Sequence, residues 1–557
     1  MIQDSDFRDI LNWDQILKLY GIDEDRGAAL SSYESILLSA EQWASKVLSN
    51  RAPELESSGA GHLHRGRVVM SKPLQKTWNE AVSMGLFSLC VDPQYGGMGV
   101  PLSVGLLIFT QISKACLATS AQMAFTWSFA DMLERFAKSE IREKWVPLLA
   151  QGTLSGSMCI TEPGAGSDVG SISTTAEKHY DGTYLINGSK CFITNAGGGL
   201  ALILARVKGA APGLKGLSLF FASQSIEGSE QPNYRVTKIE EKMGMKGSAT
   251  CEVVYENTKA ELIGQEGEGF QMMLHLMNEA RISVGLQGLG VAQAALDIVK
   301  EYAQTRQQFG KSLMELPLYR HQYHQWEVEC EAWRIFMLDT VSHFDQYQKI
   351  HFNRSRNSEG RENEKNNQEY ERLRSIVRRR TPLAKYYGSE LGARITQKAI
   401  QALGGYGFMN EYKVERLHRD AIGGLLYEGT SQIQSLMAMK DFAKEVSSQM
   451  NGKPMTFIKN MIASHPIRAR RFRSRNAIHA QLKYRFQKAS AILMLRSHRK
   501  PEFLMQHAET LCESLAMLEI LSVLEDHSSR LPRLKTIYEE YLAIAKPRFA
   551  AALESWK

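Results

Sequence analysis

Two short stretches carry residue types suited to chemistry. The first, MCITEPGAGSD, runs from Met158 to Asp168. Gly164, Ala165 and Gly166 add little bulk, so the backbone can approach a ligand closely. Exposed amide N–H groups in such loops suit phosphates and heterocycle edges, and Thr161 and Ser167 add hydroxyls. The spacing is no dinucleotide fingerprint. Val169 stands where the third glycine of G-x-G-x-x-G belongs, and no parallel βαβ pattern surrounds it. A tight turn between a helix and a strand would use the same glycines. The second stretch is Glu428-Gly429-Thr430. A carboxylate in a water-poor pocket is a stronger base than in water, and a weakly acidic C–H proton needs a positioned base. Gly429 gives the backbone room at a helix entry, and Thr430 can cap the helix that follows. By residue type alone, an ordinary exposed glutamate before a cap is the commoner outcome.

The elements that must position these stretches follow from periodicity. Apolar residues at helical spacing predict helices over 33–48 and 74–86, with a loop, DPQYGGMGVP, from Asp92. From about 155 the pattern turns to period two. Thr183–Ile186 and Lys190–Ile193 around Asn187-Gly188 predict a hairpin with a tight turn. Further strands are expected at 200–207, 217–222, 234–239 and 251–255. From Gly269 the chain reads as long helices over 271–303, 322–346, 372–403 and 430–445. The order predicts α+β: an N-terminal extension (1–34), a helical domain (35–155), a small antiparallel β-domain (156–265) and a helical catalytic domain (266–445). The last contains a very polar insertion at about 352–371. Gly452–Pro454 reads as a linker before a basic helical unit at 455–557.

With 557 residues, 43% hydrophobic and 23% charged, the chain can bury a large core in several packed units. No apolar run reaches the roughly 18 to 20 residues of a spanning helix, and the start lacks the order of a signal peptide. Seven scattered cysteines without a C-x-x-C pair predict a reducing, cytoplasmic setting. His321/His324 and His62/His64 lack a third ligand at metal-site spacing, so no metal is expected. GLQGLG at 285–290 falls inside a helix and predicts close helix packing. The net charge of +7 is concentrated between His465 and Lys500, which holds no Asp or Glu. Ile478, Leu482, Phe486 and Leu493 share a helical face there. The reading is an apolar stripe packed on the protein with a solvated basic face, with a weak membrane or nucleic-acid contact as the alternative.

Seven segments in order resemble the acyl-CoA dehydrogenase family: MCITEPGAGSD, SKCFITNA (189–196), KMGMKGSAT (242–250), NEARISVGLQGLG (278–290), TRQQFGKSL (305–313), QALGGYGF (401–408) and YEGTSQIQ (427–434). The resemblance covers about residues 35–445. It implies a helical domain, a β-barrel-like domain, a four-helix bundle and extra C-terminal helices. It also implies FAD as cofactor, and Glu428 taking the α-proton of an acyl-CoA thioester while hydride leaves Cβ for flavin N5. The oxygen charge that develops would be met by the Glu428 N–H and a flavin hydroxyl.

Carried over residue by residue, the resemblance assigns Met158, Thr161 and Thr194 to the flavin ring. Phe192, where the family usually has Trp, falls on the ring's face. Arg306, Gln308 (for a commoner hydroxyl residue) and Phe309 go to the pyrophosphate and adenine of a neighbouring subunit's FAD, with Gln401, Gly404 and Gly405 as a backbone cradle. Thr430 and Gln432 complete that site. Ser167, Asn278, Arg281 and Gly429 fall on the substrate side, Ser167 also touching cofactor. Arg281 is expected near Glu428. Some branches place the base just before this arginine, but Ala280 cannot act as one, and Glu279 is turned about 100° away. A homodimer or dimer of dimers with FAD at the interface follows, passing electrons to an electron-transfer flavoprotein. An acyl-CoA oxidase using oxygen and a flavin-containing DNA-binding protein with little turnover stay open as alternatives. Long members, including the methylthiopropanoyl-CoA branch, resemble the chain in size and in their C-terminal helices. An alkylation-response branch binds DNA through a basic C-terminal unit, but Pro163 and TEPGAGSD are typical of working dehydrogenases.

Overall fold

The computed structural model describes residues 4–356, 364–449, 477–499 and 501–556. They form two compact units. One runs from 17 to 283 with 349–360, and the other comprises 1–16, 284–348 and 361–557.

The first unit begins with helices. Asp25 caps Arg26–Trp43 by accepting from Ala28 N at 3.3 Å, and the chain passes through a wider turn, Ala44–Leu48, into Ser49–Ser58. A hairpin, Gly61–His64 with Arg67–Met70, was not legible in the sequence. Lys72–Ser83, Leu102–Ala115, Thr126–Phe136 and Ser139–Ala150 complete the helical part.

A closed ring of five strands follows: Gly199–Val207, Thr175–Lys178, Tyr184–Thr194, Thr250–Ile263 and Leu217–Ser223, which returns to the first. Ser155–Cys159 adds to Gly199–Val207, and Arg235–Ile239 adds to Thr250–Ile263. Most pairings are antiparallel. Ser155–Cys159 and Thr175–Lys178 lie parallel to Gly199–Val207. Leu200, Leu202, Leu204, Leu219 and Phe221 pack with Phe129, Leu133, Val146 and Leu149 of the helices and with Met272, Met273 and Leu276 of Gly269–Thr305. Period-two strands thus supply one wall of the core and helical stripes the other.

The sequence reading of a hairpin at Asn187-Gly188 is corrected. Tyr184–Thr194 is one strand, and the pairing slips between Ile186 and Gly188. Gly188 sits at φ +148°, and a Cβ there would lie 2.6 Å from Thr174 Oγ1. Asn187 exchanges hydrogen bonds with Asn257 at 2.9 and 3.1 Å, so the bulge is tied to its neighbour strand instead of reversing.

The second unit is helical, built from Gly269–Thr305 beyond 283, Pro317–Arg356 up to 348, Glu364–Leu403, Val414–Gly424, Ser431–Gln449 and C-terminal helices. A Cβ on Gly285 would lie 2.7 Å from Ala384 O, and one on Gly288 2.0 Å from Gly388 O. GLQGLG is therefore a helix crossing at backbone distance, as expected. Gly269–Thr305 is long and apolar enough to cross a membrane by composition, yet 78% of its most apolar window is buried in protein. It reads as a core helix.

Where the polar insertion is described, 352–356 and 364–371 belong to helix ends. Residues 357–363 and the linker at 452–454 lie outside the described residues, as do 465–476 of the basic stretch. Ala477–Arg499 buries Leu482, Phe486 and Leu493 and exposes Arg485 and Lys488, so the apolar-stripe reading holds. Ile478 departs from it, at 42% exposure.

Candidate functional site

The predicted site residues fall into groups, each described within its own unit. In the first unit, Met158 lies on Ser155–Cys159 and Thr161 just beyond it. The loop turns at once: Glu162 N donates to Ala165 O at 3.1 Å and Ala165 N returns to Glu162 O at 3.0 Å. A tight turn and a cradle are therefore both present. A Cβ on Gly164 meets nothing within 4 Å, and one on Gly166 only the Thr161 methyl at 4.0 Å. Packing does not require these glycines. They leave open space where a ligand can lie against the backbone.

What holds this loop is a buried ion pair that sequence reasoning missed. Lys190 and Glu162 are 1% and 4% exposed. Lys190 Nζ donates to Glu162 Oε1 at 2.9 Å and to the carbonyls of Ile160 and Leu204, both at 2.8 Å. The Glu162 carboxylate also accepts from Ser173 N, Ser173 Oγ and Thr174 N at 2.6–3.0 Å. Burial raises its pKa, but the Lys190 charge and these donors outweigh burial and hold it at about 2. The one available signal was a lysine heading the apolar run Cys191–Ile193.

Farther along that strand, Phe192 stands at φ +59° and is 65% exposed. A left-handed non-glycine residue costs on the order of 1–3 kcal/mol, and here it turns an aromatic face outward. Thr194 follows, half-buried. Asn195 (φ +58°) donates to Ser155 Oγ at 2.8 Å and Gly156 O at 3.1 Å. It accepts from Gln122, which in turn receives Ala249 N. This bracing was not foreseen either. Ser167 is exposed. On the helix Gly269–Thr305, Arg281 is 3% exposed and donates to Asn278 Oδ1 at 3.0 Å.

In the second unit, Glu428 follows Val414–Gly424 in a turn with φ +56°, and Gly429 continues it at φ +88°. Tyr427 Oη donates to Gln287 Oε1 at 2.8 Å, and burial raises its pKa. Thr430 caps the next helix as predicted, its Oγ1 accepting from Ile433 N at 3.4 Å. Ser431 Oγ donates to Glu390 at 2.6 Å. Gln432 is exposed.

The remaining candidates line a cavity of about 730 Å³ in the second unit, with Arg306, Gln308, Gln401, Gly404 and Gly405 among Tyr302, Tyr319, Trp326 and Tyr406. The Arg306 guanidinium stands 5.5 Å from the Tyr406 ring centre. Cβ atoms on Gly404 and Gly405 would meet nothing within 4 Å. A forked cation, aromatic walls and bare backbone suit a pyrophosphate and a purine. Phe309 forms the turn of the hairpin Gln307–Gln308/Lys311–Ser312 and is 91% exposed. A hollow of about 860 Å³ beside Trp43, Met70 and Met84 in the first unit holds none of the candidates.

The descriptions "Acyl-CoA dehydrogenase, N-terminal domain", "middle domain" and "C-terminal domain" match residues 33–153, 157–258 and 267–442. An acyl-CoA dehydrogenase of Bacillus subtilis (strain 168) is 33% identical over 360 residues, 64% of this chain and 86% of the relative. A short/branched chain specific acyl-CoA dehydrogenase of Bos taurus is 32% identical over 66% of this chain and 77% of its own. Butyryl-CoA dehydrogenase from Megasphaera elsdenii aligns with TM-score 0.62 at 27% identity, covering 74% of this chain and 98% of that one. An acyl-CoA dehydrogenase complexed with FAD from Bacillus anthracis shares the fold at TM-score 0.77 and 21% identity, over 94% of this chain and 88% of that one. Three successive parts of the chain thus all match one enzyme family, and the chain belongs to the acyl-CoA dehydrogenases.

Proposed function

We propose that the chain oxidises an acyl-CoA thioester between Cα and Cβ, with FAD as cofactor and Glu428 as base. The observation that carries this reading is the left-handed turn at Glu428 and Gly429. A glutamate adopts that backbone at a cost, and such strain collects where a side chain must be aimed. FAD, when bound, supplies the acceptor for the hydride leaving Cβ.

The chain's own residues do the rest. Glu428 takes the α-proton, and its backbone N–H meets the charge that develops on the thioester oxygen. Met158, Thr161, Phe192 and Thr194 hold the ring, and the open face at Gly164 and Gly166 leaves room beside it. Arg306, Gln308, Phe309, Gln401, Gly404 and Gly405, with Thr430 and Gln432, hold the pyrophosphate and adenine. Ser167, Asn278, Arg281 and Gly429 line the substrate side, Arg281 tuning the pocket around Glu428. Phe309, Phe408 and Leu426 are 91%, 80% and 62% exposed. Apolar side chains this exposed support a homo-oligomer that covers them, with FAD at the subunit interface. Electrons then pass to an electron-transfer flavoprotein.

The test is Glu428→Gln. The variant keeps its yellow flavin and is not bleached by acyl-CoA under argon. Bleaching at the wild-type rate would refute the assignment.

A further inference from the structure

We propose that Gln434 is the positioning residue of the Glu428 turn. Its carboxamide locks the two left-handed residues, and with them the direction of the Glu428 side chain. The inference rests on the reading of Glu428 as base.

Gln434 is 0% exposed. Its Nε2 donates to Glu428 O at 2.8 Å and reaches Gly429 O at 3.4 Å. One amide thus gathers the carbonyls of two consecutive residues at φ +56° and +88°. The amide stands in the space that Gly429 leaves empty, since a Cβ on Gly429 would lie 2.6 Å from Gln434 Nε2. Glycine at 429 and glutamine at 434 are therefore one device: the first allows the turn, the second occupies the gap. Gln434 is itself anchored in the first turn of Ser431–Gln449, where its N–H donates to Thr430 O at 3.0 Å. Its Oε1 is buried with no hydrogen-bond partner among the described residues. Without the donor, both carbonyls lose this hydrogen bond, and rotation about Glu428 φ and ψ swings the carboxylate.

The experiment compares wild type, Gln434→Met (similar volume, no donor) and Gln434→Asn (a donor withdrawn by one methylene) as purified holoenzymes. The readouts are single-turnover bleaching by acyl-CoA with and without α-deuterium, the Kd of a non-reacting CoA thioether, and amide exchange in the 425–434 peptide. Misplacing a base by about 1 Å lowers rate by on the order of 100-fold. The expected result is bleaching slowed about 10- to 100-fold with a larger deuterium effect, thioether Kd within about twofold, and faster exchange confined to that peptide. Unchanged bleaching per bound flavin, or slowing that only tracks lost flavin with exchange raised throughout the unit, overturns the assignment. Failure of both variants to fold makes Gln434 a structural residue and overturns it as well. If no acyl-CoA bleaches the wild type, the reading of Glu428 falls first and takes this inference with it. A bleachable wild type whose variants bleach at the wild-type rate per bound flavin sinks this inference alone.

Discussion

The carboxylate of Glu329 receives two parallel hydrogen bonds from the guanidinium of Arg394, at 2.7 and 2.8 Å. Glu329 is wholly buried on Pro317–Arg356. Arg548 of the C-terminal helix Leu534–Glu554 closes on it from the other side at 2.5 and 3.1 Å, and Tyr387 Oη adds a bond at 3.2 Å. Nearby, Glu519 of Ala508–Ser528 meets Arg379 and Arg380, and His527 meets Asp339 at 2.8 Å. The C-terminal extension is thus fastened to the rest of its unit by ion pairs at Glu329, Glu519 and Asp339 and not by an apolar face alone.

Removing Glu329 leaves two guanidinium groups facing each other without an anion. Breaking a buried pair costs about 3–5 kcal/mol, and both arginines reach solvent, so Glu329→Gln is expected to cost about 3 kcal/mol. The sign with pH is fixed. Burial raises the Glu329 pKa, but Arg394 and Arg548 outweigh burial and hold it at about 2, below the roughly 4.3 of an unfolded glutamate. The contribution is complete above about pH 4.3 and is lost as pH falls towards 2. Denaturation midpoints of wild type and variant should stand well apart at pH 7 and converge only near pH 2. An equal gap at both values would remove the ion pair from the account.

The Lys190–Glu162 pair supports a prediction in the other unit. Lys190→Met keeps the volume but strands a carboxylate under the TEPGAGSD loop, so stability falls by about 3–5 kcal/mol. Thr161 is joined to the same strand, since its carbonyl accepts from Cys191 N at 3.0 Å. Flavin retention should therefore fall together with the thermal midpoint. The double variant with Glu162→Gln should recover part of both, because it removes the uncompensated charge. Absence of any recovery would mean that the lysine acts through its two carbonyl contacts and not through the pair.

Helix periodicity, the period-two middle and the order of motifs were legible because each is local. Gly285 and Gly288 announced a close crossing because only a missing Cβ permits one, and Thr430 read as a cap from its neighbours alone. The bulge at Gly188 read falsely as a turn, since Asn-Gly serves both and only pairing with Asn257, 70 residues on, decides between them. Lys190–Glu162, Gln122–Asn195 and Glu329–Arg548 were invisible for the same reason: each joins residues 28 to 219 positions apart, and no spacing rule reaches so far. The left-handed backbone at Glu428 was not legible either, although Gln434, which binds its carbonyl, lies only six residues on.

Glycines separate packing from ligand binding most cleanly. Gly288→Ala would drive a Cβ to 2.0 Å from the Gly388 carbonyl, with backbone on both sides and no flexible tip to yield. Overpacking of this kind costs about 1–3 kcal/mol or more, so the thermal midpoint should fall by several degrees. Gly405→Ala meets nothing within 4 Å. As a surface change away from packed features it should shift stability by no more than about 0.5 kcal/mol. Yet Gly405 lines the cavity with Arg306, where the proposed function brings backbone close to the pyrophosphate. Flavin titration of the apoprotein should then show at least about a tenfold weaker Kd for Gly405→Ala, which is about 1.4 kcal/mol. The thermal midpoint without flavin should hardly move. Wild-type affinity in Gly405→Ala would take the cofactor away from this cavity and leave 404–405 as an ordinary helix end.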